Sequence, residues 1–135
     1  YNRVEIARDA FRGVCKNRRL FLSIHADIEP TSPEAALVLY YKSRTREDVR
    51  SKVFSKHLLP ALGAGAHMRG RNLGVLRDNP AYASVLIEIR NLAYTDHAWA
   101  MRFEAMRQRD ARKIVKGVLD YVNYQIQTAS ISPEE

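Results

Sequence analysis

Two ionisable side chains stand against runs of residues that belong in a dry interior. His25 follows Leu20-Phe21-Leu22-Ser23-Ile24, and Glu88 lies near the close of Ala83-Ser84-Val85-Leu86-Ile87-Glu88-Ile89. An uncompensated charge at either place would be expensive, so each needs a partner or a task. Imidazole and carboxylate are the groups of proton transfer and of metal ligation. A structural role is equally open: a satisfied histidine at one position and, at the other, a glutamate paired with an arginine such as Arg90. Ser23, His25 and Asp27 share a strand face by the two-residue period and superficially suggest a nucleophilic triad. Side chains at i and i+2 run parallel about 6–7 Å apart, a spacing that denies a serine nucleophile its converging hydrogen bonds. No Gly-x-Ser-x-Gly elbow occurs in the chain.

Other candidates are weaker. Gly63-Ala64-Gly65 and Gly70 follow a helical pattern, so they match neither a dinucleotide fingerprint nor a phosphate loop. The single cysteine, Cys15, can form no internal disulfide, and its neighbours Phe11 and Val14 predict a buried apolar role. His57 falls on a predicted helix, His67 in a glycine-bearing loop and His97 at a helix start, and all three are expected at the surface.

The elements that must carry His25 and Glu88 follow from periodicity. Residues 3–15 place Val4, Ile6, Ala7, Phe11 and Val14 at roughly helical spacing, with charges between them. The run 20–24 is nearly continuous and apolar, as in a strand covered on both faces, and 36–41 is a second strand candidate. Residues 28–34, with Pro30 and Pro33, form a turn between them. A helix is expected over 45–62, a mobile loop over 63–72, a brief strand at 73–76 and a buried strand at 83–89. From Thr95 or Asp96 a helical pattern runs to about Gln127, as one helix or as two that meet near Gln108. The alternation predicts an α/β fold: a mostly parallel twisted sheet with helices on both faces, in a single domain. In such a sheet, ligands bind beyond the carboxyl ends of the strands, where both candidate residues are expected.

Composition narrows the classes. At 135 residues, with 46% hydrophobic and 27% charged residues, the chain suits one folded domain rather than a disordered tail. No apolar run approaches the roughly 18 residues that cross a bilayer. The excess of 22 Lys and Arg over 15 Asp and Glu, a formal charge of +7, favours anionic partners. The positive clusters come without a recognition helix, zinc finger or aromatic RNA motif, so no nucleic-acid partner is expected.

Phe21-Leu22-Ser23-Ile24-His25-Ala26-Asp27 resembles the "S-I-H-A-D" strand of the zinc-dependent N-acetylmuramoyl-L-alanine amidases of the Amidase_3 type. Arg3-x-x-Ile6-Ala7 resembles the helix that leads into that strand. Leu73-Gly74-Val75-Leu76-Arg77 and Ala83-Ser84-Val85-Leu86-Ile87-Glu88-Ile89 are similar to the family's "L-x-V-L-R" and "P-A-V-L-V-E" stretches. The resemblance covers the chain to about Tyr121. It implies that residues 1–127 are the C-terminal two-thirds of an amidase catalytic domain, followed by a frayed tail over 128–135. It further implies Zn2+ as cofactor, His25 as a metal ligand, Glu88 as the catalytic base and peptidoglycan as substrate. The bond cut would be the amide between N-acetylmuramic acid and L-alanine. The same resemblance implies a periplasmic or secreted location with the export signal outside this chain, and leaves room for an activator protein.

The resemblance has gaps. The family's first two zinc ligands belong to a part that would precede Tyr1, and Glu5 is too near His25 to match the second. The chain is therefore expected to be N-terminally incomplete and to bind zinc poorly by itself, since a catalytic zinc takes about three protein ligands. After Glu88 the family's "G-F" is replaced by Arg90-Asn91, which puts its usual substrate contacts in question. No autoinhibitory insert is expected between Asp27 and Glu88. Two other readings stand beside this one. Glu88-Ile89-Arg90-Asn91-Leu92 also resembles the N-formylglutamate amidohydrolases, and a degenerate domain could bind the anionic wall through its positive charge without catalysis.

Overall fold

A computed structural model of the protein describes residues 2–131. Four strands, β1 (Leu20–Asp27), β2 (Leu37–Tyr41), β3 (His67–Arg71) and β4 (Ala83–Asn91), form one open sheet in the order β1-β4-β2-β3. The pairs β1–β4 and β2–β3 are parallel, and β2–β4 is antiparallel. The helices are α1 (Arg3–Ala10), α2 (Val49–Leu62), α3 (Thr95–Ala100) and α4 (Glu104–Ile131), with a 3-10 turn at Lys16–Arg18.

Alternation along the strands sorts their residues between two faces. Ala83, Val85, Ile87 and Ile89 of β4, with Val38 of β2, face Phe54, Leu58 and Leu62 of α2 and Ile114 and Tyr121 of α4. Phe54, Leu58, Val38, Val85 and Ile87 are fully removed from solvent. On α4 the buried positions Asp110, Ile114, Gly117 and Tyr121 recur at helical spacing and form one stripe. Gly117 lets α2 approach: a Cβ there would lie 2.9 Å from Leu58 Cδ2 and 3.1 Å from Leu58 Cα. The opposite face is smaller. Leu39, Tyr41 and Leu86 pack there with Leu73, Val75 and Leu76 of the turn before β4, and α1 begins beside that turn at Gly74 and Val75.

Caps set the register of the helices. Asn2 Oδ1 accepts the N–H of Val4 at the start of α1. Asp48 caps α2 by accepting both the N–H and the hydroxyl of Ser51, and the same Ser51 Oγ accepts the N–H of Ser84 at 2.8 Å. That buried hydroxyl ties the first turn of α2 to β4.

Several expectations are corrected. The helix expected over 3–15 ends at Ala10, and Gly13 follows with φ +79°. Cys15 lies beyond the helix and is exposed, not core. The expected loop at 63–72 contains β3, and the expected strand at 73–76 is the turn that covers the lesser sheet face. The C-terminal helical region is two helices that meet at residues 101–103 rather than at Gln108. Of the expected tail, residues 128–131 continue α4, and 132–135 lie outside the described residues. Among the described residues no helix is long and apolar enough to cross a membrane.

Phe54 fills the space between sheet and helices with its ring 4.5 Å from that of Tyr121. Phe54→Ala is expected to lower unfolding stability by about 3–5 kcal/mol, read from urea midpoints at unchanged slope; a loss below about 1 kcal/mol would mean that α2 and α4 do not share this core.

Candidate active site

His25 and Glu88 are partners in the β1–β4 ladder. Register partners in a parallel pair point to the same face, with backbones about 4.8 Å apart. Both strands run further than the sequence indicated, so the two residues sit inside the sheet near its end rather than as its last residues.

The Glu88 carboxyl is set apart by its surroundings. Its Oε2 is buried and has no hydrogen-bond partner. Burial, and secondly the charge of Asp27, push its pKa up to about 7. Near neutral pH the group is therefore divided between a form that takes a proton and one that gives it, as a general acid–base needs.

Arg90 does not pair with Glu88. Between His25 and Ala26 the ladder slips so that Ala26 opposes Arg90, and Ile89 is the extra residue of a β-bulge. Strict alternation would put Arg90 on the face of Glu88; the bulge turns it toward α4. There it donates from Nε and Nη2 to Asp110 at 2.7 and 2.9 Å, with both side chains almost fully buried. The guanidinium is thus paired, while Arg90 still lines the cavity beside Glu88.

Ser23 Oγ lies 2.9 Å from His25 Nε2, closer than ideal strand spacing allows, because the side chains lean toward each other. The spacing objection to a triad is thus wrong. What denies the triad is Asp27, which has no bond to His25 and accepts the N–H of Ile28 at Oδ1.

Beyond the bulge Asn91 organises the rim. Its Oδ1 accepts from the N–H groups of Glu29 and Ala93, and its Nδ2 donates to the Glu29 carbonyl. The Tyr94 hydroxyl donates to the Ser32 carbonyl at 2.9 Å. These bonds fasten residues 28–34 over the end of β4. Glu88, Asp27, Leu37, Asn91 and His67 line a cavity of about 70 Å³ beneath that segment.

The other histidines are partly buried, contrary to the surface expectation. His57 gives its Nδ1 proton to the Val53 carbonyl and stacks against Tyr124 at 4.3 Å. His97 accepts the Asn91 N–H at Nδ1, and burial, then Arg90, hold its pKa below the usual histidine value. His67 is the first residue of β3 and reaches the cavity. Sequence reasoning missed it because Gly63 and Gly65 before it, and Gly70 after it, suggested a loop. It also missed Asp110, for which there is no local signal, as its partner lies 20 residues away.

No protein-family model matches the chain, and no curated protein does. Solved structures do match, N-acetylmuramoyl-L-alanine amidases among them. The catalytic domain of CwlV, an N-acetylmuramoyl-L-alanine amidase from Bacillus (Paenibacillus) polymyxa var. colistinus, is 23% identical with a TM-score of 0.65, over 89% of this chain and 63% of that one. The amidase Ami1 of Mycobacterium smegmatis is 24% identical with a TM-score of 0.67, over 90% and 60%. The CwlD amidase of Clostridioides difficile, solved with the GerS lipoprotein, is 23% identical with a TM-score of 0.66, over 90% and 60%. At this identity the likeness is one of fold, and the chain spans 60–63% of the length of these structures.

The zinc implied by the sequence resemblance can be tested against the donors present. Among the described residues no group of three His, Cys, Asp or Glu side chains converges as a metal site requires. His25 offers one nitrogen where a catalytic zinc takes about three protein ligands. These residues do not make up a zinc site.

Two outcomes follow. Unfolded, the Glu88 carboxyl titrates near 4.5 and, folded, near 7; its stabilising contribution is full below the lower value, falls as pH rises through the upper and stays lost above it. Urea midpoints of wild type should therefore fall relative to Glu88→Gln between pH 4 and 8, by about 1–2 kcal/mol after allowance for solvent screening; parallel curves would contradict the burial assigned to Glu88. Asp110→Ala leaves a buried guanidinium unpaired and should cost about 3–5 kcal/mol, whereas the joint change Arg90→Met with Asp110→Leu should cost far less. Equal losses would mean that the pair is not coupled.

Proposed function

We propose that this chain carries the general-base part of a peptidoglycan amidase, cutting the amide between N-acetylmuramic acid and L-alanine. The observation that carries the reading is a partly buried carboxyl with a pKa near 7 directly beside His25, in the fold of N-acetylmuramoyl-L-alanine amidases. In this reading Glu88 takes a proton from the water that attacks the amide carbon. The C–N bond then breaks and the carboxylic acid returns the proton to the departing nitrogen. The rim held by Asn91 limits access of bulk water to the carboxyl. His25 is the one metal donor proposed, and zinc at this place would need further donors that the described residues do not bring, so no step is assigned to it. The substrate assigns the work to the cell wall, outside the cytoplasm, and the CwlD–GerS complex supports an accessory protein as part of the proposal.

The test is release of N-terminal L-alanine from purified peptidoglycan by the protein at its native length. Glu88→Gln should lower the rate about 10²–10⁴-fold with the fold intact by circular dichroism. Unchanged release would remove Glu88 from the chemistry. Binding to peptidoglycan with no release by wild type would favour a wall-binding domain, and hydrolysis of N-formylglutamate instead would favour that relative.

A further inference from the structure

One groove of this molecule has several charged side chains in its lining, all of them positive. Where α2 ends and α4 runs past it, Ala61 and Ala105 lie in a groove of about 500 Å³ that is also lined by Arg109, Arg112, Lys113 and Lys116. No acidic side chain lines it. The four cations recur at i, i+3, i+4 and i+7 of α4, which sets them on one stripe about 10 Å long.

A solvated helix face usually mixes its signs, and this stretch does not. The acid within it, Asp110, is buried and spent on Arg90. Lys116 pairs with Asp120 at 2.9 Å, and Arg107 just before the stripe donates to the Met101 carbonyl. Among the described residues the ion pairs of α4 are Arg90–Asp110 and Lys116–Asp120; Arg109, Arg112 and Lys113 enter none. Lys113 is nonetheless held in place. It is half-buried, and its Nζ reaches to 3.9 Å from where a Cβ on Gly63 would stand, at the C-terminal end of α2, where a helix favours a cation. Like charges at this spacing repel one another, so a stripe of them without counter-charge calls for an anion from outside the chain.

The form of the groove selects the anion. A stripe suits a partner whose negative charges repeat along a line, and each guanidinium is a planar fork that takes two oxygens of one phosphate. The lining contains no aromatic side chain, so a nucleobase has nothing to stack on. It is no lipid surface either, because an interfacial helix needs large apolar residues beside its cations. Val115, the one large exposed apolar side chain between 109 and 116, lines a different groove with Ile24 and Met101.

We propose that this groove binds a base-free phosphate polymer, its phosphates held by the forks of Arg109 and Arg112 and by Lys113. The inference is independent of the amidase reading and of the state of Glu88. The same chemistry has two sources, free polyphosphate and a polyol-phosphate chain of a cell envelope.

Long-chain inorganic polyphosphate and poly(glycerol phosphate) stand for the two sources. Each is titrated into the wild-type protein at its native length, followed by fluorescence anisotropy between about 50 and 200 mM salt. Saturable binding that weakens with salt is expected. The triple variant Arg109→Gln, Arg112→Gln, Lys113→Gln should lose about 10-fold or more in affinity, and its slope of log K against log salt should be shallower by about 2. Lys16→Gln, Arg18→Gln, Arg44→Gln removes the same charge elsewhere and should keep most of the affinity. Binding of either polymer with this pattern supports the groove, and the tighter one names the source. No binding, or equal losses in the two triple variants, would overturn the proposal. Tighter binding of oligouridylate or of poly-L-glutamate of equal charge would overturn it too, as would a loss in the groove variant confined to phosphatidylglycerol vesicles.

Discussion

The pairing of β1 with β4 is the constraint on which the site depends. It puts His25 opposite Glu88 and is followed at once by the bulge at Ile89. A shift of one residue would turn either side chain to the other face of the sheet. The bulge matters as much as the pairing, because without it Arg90 would stand beside Glu88 and hold its carboxylate ionised. By diverting Arg90 to Asp110, the sheet leaves Glu88 with burial and a like charge for neighbours. A carboxyl with its pKa raised to about 7 thus follows from one extra residue in a strand.

The rest of the chain holds that pairing rigid. Apolar residues of β2 and β4 lock onto α2 and α4, and Ser51 fastens the start of α2 to Ser84. The Arg90–Asp110 pair lies on the same side, so the helix layer that forms the core also draws the competing charge away. On the other face Leu39, Leu86 and the turn at Leu73 to Leu76 close the sheet up to the site. Beyond them lies the polar row of His25, Glu88 and His67.

Much of this was legible in residue order. The apolar runs before His25 and around Glu88 marked two strands; that around Glu88 is central, whereas β1 lies at the edge of the sheet with Ile24 exposed, not covered on both faces. What failed was local inference at the margins. The stretch His67-Met68-Arg69-Gly70-Arg71 reads as a loop by its glycine and charges, yet it serves as an edge strand because β2 supplies a partner for its backbone. Leu73, Val75 and Leu76 read as a strand because they are apolar, but they are apolar to cover a face of the sheet. The bulge, the Arg90–Asp110 pair and the reach of His67 into the cavity depend on contacts distant in sequence, which no window of neighbours carries.

The state of one carboxyl decides the matter most directly. A 13C titration of the Glu88 side-chain carbon in the wild-type protein should have its midpoint near pH 7, moving down when Asp27→Asn removes the neighbouring charge. A midpoint near the ordinary 4.5, indifferent to Asp27, would mean that Glu88 is a solvated surface acid and that the sheet builds no proton-transfer site there.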